Sequence, residues 1–364
     1  MLKPIHKNIL FVLIPTIAVC FFIAELFFRY VIPACEIPDV YFEHDNLMIR
    51  FDTRTKIKGT FTVGKFAQQQ GEWRINNYGW NSDVNYVPYQ VRSKPLIAII
   101  GDSYIESFQV DVDKNIAAVL RKLVGEEYEV YSFGTSGAPL SQYLHLSRYV
   151  NQYFRPDITV FNMVYNDFGE NLREKYNKPH YLQMSKIVGQ YVETQINPYK
   201  PNRLKQFAKK SALIRYIWLN LRVSTRLTKI KRDIEIKIYK ANIDVLKAIS
   251  NKEEIIDVTS HLVEIIKKEN LEKEVFFLMD APRQDIYHGT IDSSNVKWMN
   301  DMLLDACIRN DCHYTDLTVP FLEKYRTDSL RFNSIYDRHW NELGHKTAAI
   351  TLYNSLVKEG LLYK

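Results

Sequence analysis

The chain has 364 residues, of which 46% are hydrophobic, 25% charged and 13% aromatic. This composition excludes a disordered, collagen-like or low-complexity protein, and four cysteines in this length exclude a disulfide scaffold. The formal charge is +6, yet residues 168–232 hold 15 Lys/Arg against 3 Asp/Glu, a local +12 that leaves the remainder at −6. A mildly acidic globule with one basic segment is not a nucleic-acid binder.

Asn8 to Phe28 is predominantly apolar with one charge, Glu25, and is long enough to cross ~30 Å of hydrocarbon. Glu25 and Arg29 are four apart and can pair on a helix at the membrane surface. Lys3, His6 and Lys7 precede the span, which keeps that end cytoplasmic and places the bulk of the chain outside. The alternatives are a cleaved signal peptide, a lipoprotein site ending at Cys35 and a buried core helix. No A-x-A site follows the apolar run, which exceeds a usual signal core of ~7–15 residues. An uncleaved anchor over residues 1–36 is therefore expected, on a protein of the bacterial periplasm or cell surface.

Residues 37–92 form a Tyr- and Asn-rich extension with strand-like fragments. From Pro95 the pattern is regular. Leu96–Ile100 is a continuous apolar run, as for a strand buried on both faces. Ile116, Val119, Leu120 and Leu123 then recur at helical spacing. Further strands are expected at Tyr128–Phe133, Asp157–Val164, Glu274–Met279 and His313–Leu317. Helices are expected at Leu140–Phe154, Val296–Ile308 and Leu343–Val357. Five strands separated by helices predict an α/β domain over residues 93–364, with a parallel sheet between helices. The basic insertion, 168–235, falls between strands three and four. In it Leu204, Phe207, Ala208, Leu213, Ile214, Ile217, Trp218 and Leu221 suggest an amphipathic helix or helical pair. It either covers the sheet as a solvated pair or contacts anionic headgroups or an anionic glycan.

Ligands of an open α/β sheet bind outside the carboxyl ends of its strands. Those ends carry Gly101-Asp102-Ser103, Gly134-Thr135-Ser136-Gly137 and Tyr165-Asn166-Asp167, and Asp337-Arg338-His339 precedes the last helix. Together they supply an acyl-transfer machine. Ser103 is the candidate nucleophile, His339 the base and Asp337 its orienting carboxylate. The Ser103 and Gly137 backbone N–H groups and the Asn166 amide are the candidate oxyanion donors. Each piece alone is a common turn or cap. Their order, each at the correct strand end, is what points to chemistry.

These residues resemble the blocks of the SGNH, or GDSL, hydrolase family, from about Lys94 to the C-terminus. Gly101-Asp102-Ser103 matches the first block, and Ser132 to Gly137 is similar to the second. Val164-Tyr165-Asn166-Asp167 matches the third, and Asp337 with His339 the last. Trp73 to Trp80 also resembles a segment found upstream of the first block in membrane-anchored bacterial members. The resemblance implies a three-layer α/β/α fold with strand order 2-1-3-4-5. It implies ester chemistry on an extracytoplasmic glycan or lipid through an acyl-serine, without metal or organic cofactor. Two departures stand out. Val164 replaces the usual Gly of the third block, and one residue rather than two separates Asp337 from His339. The shorter spacing is similar to that of SGNH-like acetyltransfer proteins of exopolysaccharide systems.

O-acyl transfer onto an envelope polysaccharide beside a multi-spanning membrane acyltransferase therefore stays open, as does a non-catalytic envelope-binding role. So does a metal-dependent phosphoesterase using Asp102, Asp167, Asp280, Asp337 and His339, although such a site usually brings more histidines. His345, inside the last helix, is a rival base, expected to be a packing residue. Cys307 and Cys312 could pair in an oxidising compartment or remain two thiols.

Overall fold

A computed structural model describes residues 9–221, 223, 239–240, 242–334 and 336–362. Lys3, His6 and Lys7, and most of the insertion beyond 221, lie outside the described residues.

The chain begins with helix α1 (Ile14–Tyr30), entered through a wide turn at Ile9–Leu13. Pro15 sits in the first turn of α1, where a missing N–H costs nothing. Phe11–Tyr30 is long and apolar enough to cross a membrane, and none of it is buried in the protein. Two antiparallel hairpins follow: β1 (Val40–Glu43) with β2 (Met48–Phe51), and β3 (Lys58–Val63) with β4 (Gln69–Arg74).

The central domain then runs β5 (Leu96–Gly101), α2 (Ser103–Glu106), α3 (Ile116–Val124), β6 (Glu129–Gly134), α4 (Leu140–Tyr153), β7 (Ile158–Met163) and α5 (Tyr165–Gly169). The insertion adds a hairpin, β8 (Met184–Ile187) with β9 (Gln190–Glu193), and two short helices, α6 (Arg203–Ala208) and α7 (Ala212–Arg215). The domain closes with α8 (Lys252–Lys268), β10 (Glu274–Met279), α9 (Arg283–His288), α10 (Lys297–Arg309), β11 (His313–Asp316), α11 (Thr318–Asp328) and α12 (Glu342–Lys358). The expected strands and long helices all form, with ends shifted by a residue or two.

The sheet is parallel with order β6-β5-β7-β10-β11, which in chain order is 2-1-3-4-5. Side chains of β5 alternate between two cores. Leu96, Ala98 and Ile100 join one, and Ile97 and Ile99 the other. Helices α4, α8 and α10 pack on the first face, and α3, α11 and α12 on the second. This double burial is why the strands read as continuous apolar runs rather than as alternation.

The insertion differs from a pair covering the sheet. Ser211 breaks the apolar pattern by capping α7, its Oγ accepting from Ile214 N. The segment packs instead on α1 and on the β3–β4 hairpin. Tyr216 donates to the Lys65 carbonyl at 2.8 Å, and Asn220 bridges Cys35 N and Thr62 Oγ1, each at 2.9 Å. Leu204 and Phe207 point to solvent, 76% and 72% exposed. Cys307 and Cys312 are free thiols, and burial pushes Cys312 up to about 11.

Candidate active site

The turn after β5 carries Ser103 as the first residue of the one-turn helix α2. Asp102 caps it, its Oδ1 accepting from Tyr104 N at 2.9 Å, and Ser107 ends it in the left-handed conformation with φ 52°. Gly134, at the end of β6, lets this turn approach. A Cβ there would lie 2.0 Å from Glu106 N, so alanine does not fit without displacing backbone. Asn81 holds the other side, donating to the Glu106 carbonyl at 2.8 Å. The segment Trp73–Trp80 is thus a buttress. Its Asn76 side chain closes a tight turn by accepting from Tyr78 N and Trp80 N, and Arg74 N donates to Asn81 Oδ1.

Ser103 Oγ lies 2.7 Å from His339 Nε2 and 3.2 Å from Asp102 Oδ2. The shorter contact gives the hydroxyl proton its path to the imidazole. His339 Nδ1 bonds to Asp337 Oδ1, and the same oxygen accepts from His339 N at 2.8 Å. One residue between Asp and His therefore suffices. The carboxylate turns back and holds both the backbone and the ring of His339. Burial alone would push the His339 imidazole down. The hydrogen bond and charge of Asp337 outweigh it, and the group titrates above the ordinary 6.5. A hydroxyl against an imidazole oriented by a carboxylate can lose its proton while attacking a carbonyl.

Gly137 and Asn166 follow the ends of β6 and β7, the two neighbours of β5. Gly137 has φ 74°, a turn conformation that favours glycine. Val164 sits at φ −124°, ψ 163°, which any residue adopts, so the absence of glycine there leaves the Asn166 turn undisturbed. Asn166 is half-buried, and among the described residues its Nδ2 makes only a long 3.4 Å contact with Asp167. Asp167 is occupied elsewhere, accepting from Tyr143 Oη at 2.9 Å and Val164 N at 2.8 Å.

Several residues that support this site carry no motif. Arg283 donates to the Arg338 carbonyl at 2.8 Å, to Tyr104 Oη and to Asp280 Oδ2 at 3.1 Å. Tyr104 donates to the same Arg338 carbonyl at 3.0 Å, and Trp340 Nε1 to Asp280 Oδ1 at 2.9 Å. The loop bearing His339 is therefore strapped on both sides of the histidine. Burial would push the Arg283 guanidinium down, but the facing Asp280 carboxylate and Tyr104 hold it charged. The signal was available in Asp280, which stands at the end of strand four as Ser103 stands at the end of strand one. Glu106 is a second such residue. It is buried beneath the Gly137 loop, bonds to Ser136 N at 2.8 Å and to Ser136 Oγ, and burial raises it to about 7. Lys178 pairs with Glu170 and donates to the Gly137 carbonyl at 2.6 Å.

The rival arrangements do not assemble. His345 is buried edge-on to Trp340, neither ring nitrogen has a partner among the described residues, and burial lowers it to about 3. It packs. Among the described residues no three of His, Cys, Asp or Glu are grouped as metal ligands.

No family model matches the chain, and no curated protein matches its sequence. Solved structures that overlap it include a carbohydrate esterase family 2 enzyme of Corynascus thermopiles (Myceliophthora fergusii), at 16% identity and TM-score 0.37, covering 76% of this chain and 70% of that one. A lipolytic G-D-S-L family member from Veillonella parvula overlaps at 10% and 0.37, covering 72% and 96%. A lipase/acylhydrolase from Enterococcus faecalis overlaps at 11% and 0.39, covering 74% and 97%. Overlaps this loose carry no inference about the site.

Proposed function

We propose that the protein is a serine-dependent ester hydrolase of the SGNH type. The observation that carries this is the continuous contact Ser103 Oγ, His339 Nε2, His339 Nδ1, Asp337 Oδ1 at the carboxyl end of the sheet. As Ser103 Oγ attacks an ester carbonyl, His339 Nε2 takes its proton, and Asp337 stabilises the resulting imidazolium. The Ser103 and Gly137 N–H groups and the Asn166 amide receive the developing oxyanion. His339 then returns the proton to the departing alkoxide, leaving an acyl-serine and a free alcohol. Water attacks the acyl-serine with His339 again as base, releasing the acid and restoring the hydroxyl.

The substrate class is an acyl ester of an extracytoplasmic glycan or lipid, which fits a catalytic domain held beside a membrane helix. A sugar hydroxyl reaching the acyl-serine in place of water would make the same site a transferase. Purified protein is assayed on a small acetyl ester, with and without added acceptor glycan. Ser103→Ala abolishes turnover and leaves the thermal midpoint unchanged. Near-native activity of that variant would refute the reading.

A further inference from the structure

The insertion is held against α1 by contacts that set its depth. Glu25, on α1, accepts from Ser211 Oγ at 2.7 Å, Ala212 N at 2.9 Å and Leu213 N at 3.0 Å, and pairs with Arg29 at 2.5 Å. One turn on, Phe28 stacks on Tyr216 with ring centroids 3.8 Å apart. Arg215 Nε donates to the Cys35 carbonyl at 3.1 Å, tying the helical pair to the chain where it leaves α1. Glu25 is five residues before Tyr30, the end of α1. At 1.5 Å per residue the α7 contact lies about 7.5 Å below that end. A headgroup layer is itself only ~5–7 Å deep on each side of ~30 Å of hydrocarbon. With α1 spanning a bilayer, residues 211–213 sit at lipid level rather than in water.

The chemistry of the segment suits that position. Leu204 and Phe207 are exposed, as is Trp218 at 45%. Lys205 and Lys210 are exposed beside them, Lys209 is half-buried, and none of the three forms an ion pair among the described residues. Exposed apolar and aromatic side chains interleaved with lysines form an interfacial surface, apolar atoms in the acyl boundary and ammonium groups at lipid phosphates.

We propose that α6, α7 and the turn carrying Trp218 form a second membrane contact, seated in anionic lipid headgroups beside α1. The occupant is fixed by continuity with the spanning helix and by charge. The consequence is a catalytic domain held at a set height and tilt, since α1, the insertion and the β3–β4 hairpin are joined by the hydrogen bonds above. The proposal concerns placement and does not depend on the ester chemistry at Ser103.

The test uses the full chain in lipid nanodiscs of phosphatidylglycerol or phosphatidylcholine, each with or without brominated acyl chains. Trp218→Phe isolates the Trp218 share of the emission by difference from the other four tryptophans, of which Trp73, Trp80 and Trp340 are buried and Trp298 is half-buried on α10. In phosphatidylglycerol discs the Trp218 share is expected to be quenched at least about twofold more than the remainder. The triple change Lys205→Glu, Lys209→Glu, Lys210→Glu is expected to reduce that quenching to the phosphatidylcholine level. Resistance to carbonate extraction reports α1 separately. Trp218 emission indifferent to bromine in carbonate-resistant protein would overturn the surface contact. Quenching unchanged by the triple variant would overturn the headgroup recognition, and protein stripped by carbonate would overturn both.

Discussion

Replacing Arg283 by Met tests how the His339 loop is held. The change removes three donations, to the Arg338 carbonyl, Tyr104 Oη and Asp280 Oδ2, and leaves the Asp280 carboxylate 2% exposed with no cation. Stranding one partner of a buried ion pair costs about 3–5 kcal/mol. Adding Asp280→Asn removes the stranded charge while its side-chain oxygen still accepts from Trp340 Nε1. The double variant should recover about 2 kcal/mol or more of the loss, a coupling energy typical of residues in one network. Thermal unfolding in detergent, measured on the single and double variants, gives the cycle. Turnover of a small acetyl ester gives the second readout. The double variant should stay below wild type in kcat, because the Arg338 carbonyl has lost one of its two donors, keeping only Tyr104, even though the fold has recovered. An Arg283→Met cost below about 1 kcal/mol, or a double variant no more stable than the single, would show that Arg283 does not neutralise Asp280.

Activity should rise with pH and then plateau, with a midpoint above 6.5, since His339 must be neutral to accept the Ser103 proton and Asp337 raises it. Asp337→Asn removes the main raising partner, leaving burial opposed only by the Asp102 charge, so the midpoint of the residual activity should fall relative to wild type, as a pH–rate profile would show. Asn166→Ala should lower kcat by ~10²–10³-fold with KM little changed, the usual effect of removing one oxyanion donor; an unchanged kcat would remove Asn166 from the site. His345→Ala should lower the thermal midpoint and leave the pH profile as it is. Glu106 titrates at about 7 against an ordinary 4.5, so the folded state holds a proton that the unfolded chain has released, and stability falls as pH rises through that window. Relative to wild type, Glu106→Gln should gain about 2–3 kcal/mol between pH 5 and pH 8 in denaturant unfolding, and a flat difference would exclude a buried carboxyl acting there.

What was legible in the sequence is what a strand end can announce. Buried parallel strands are contiguous apolar runs, so β5, β6, β7 and β10 stand out. The polar residues just beyond the first three are brought by topology to one edge, with Ser103, Gly137 and Asn166 on neighbouring strands. The contact between Ser103 and His339 spans 236 positions, and only the order of blocks suggested it. Of the supports only Asp280, at a strand end, was legible. Nothing local marks Arg283 as the partner of a carbonyl 55 residues on, or Asn81 as the pin on α2. Helical periodicity in the insertion left two readings open, a pair covering the sheet or a surface facing outward, and could not choose between them. Leu204 and Phe207 keep the period and point out, since α7 is anchored by Glu25 of a helix that a periodicity argument treats as separate.

The central claim, that Ser103 is the nucleophile, is tested most directly by intact-protein and peptide mass spectrometry after exposure to an activity-based phosphonate. The account predicts one adduct per chain, on the peptide containing Ser103, lost in Ser103→Ala and strongly slowed in His339→Ala. An adduct on another residue, or none on a preparation that still turns over ester, would contradict it.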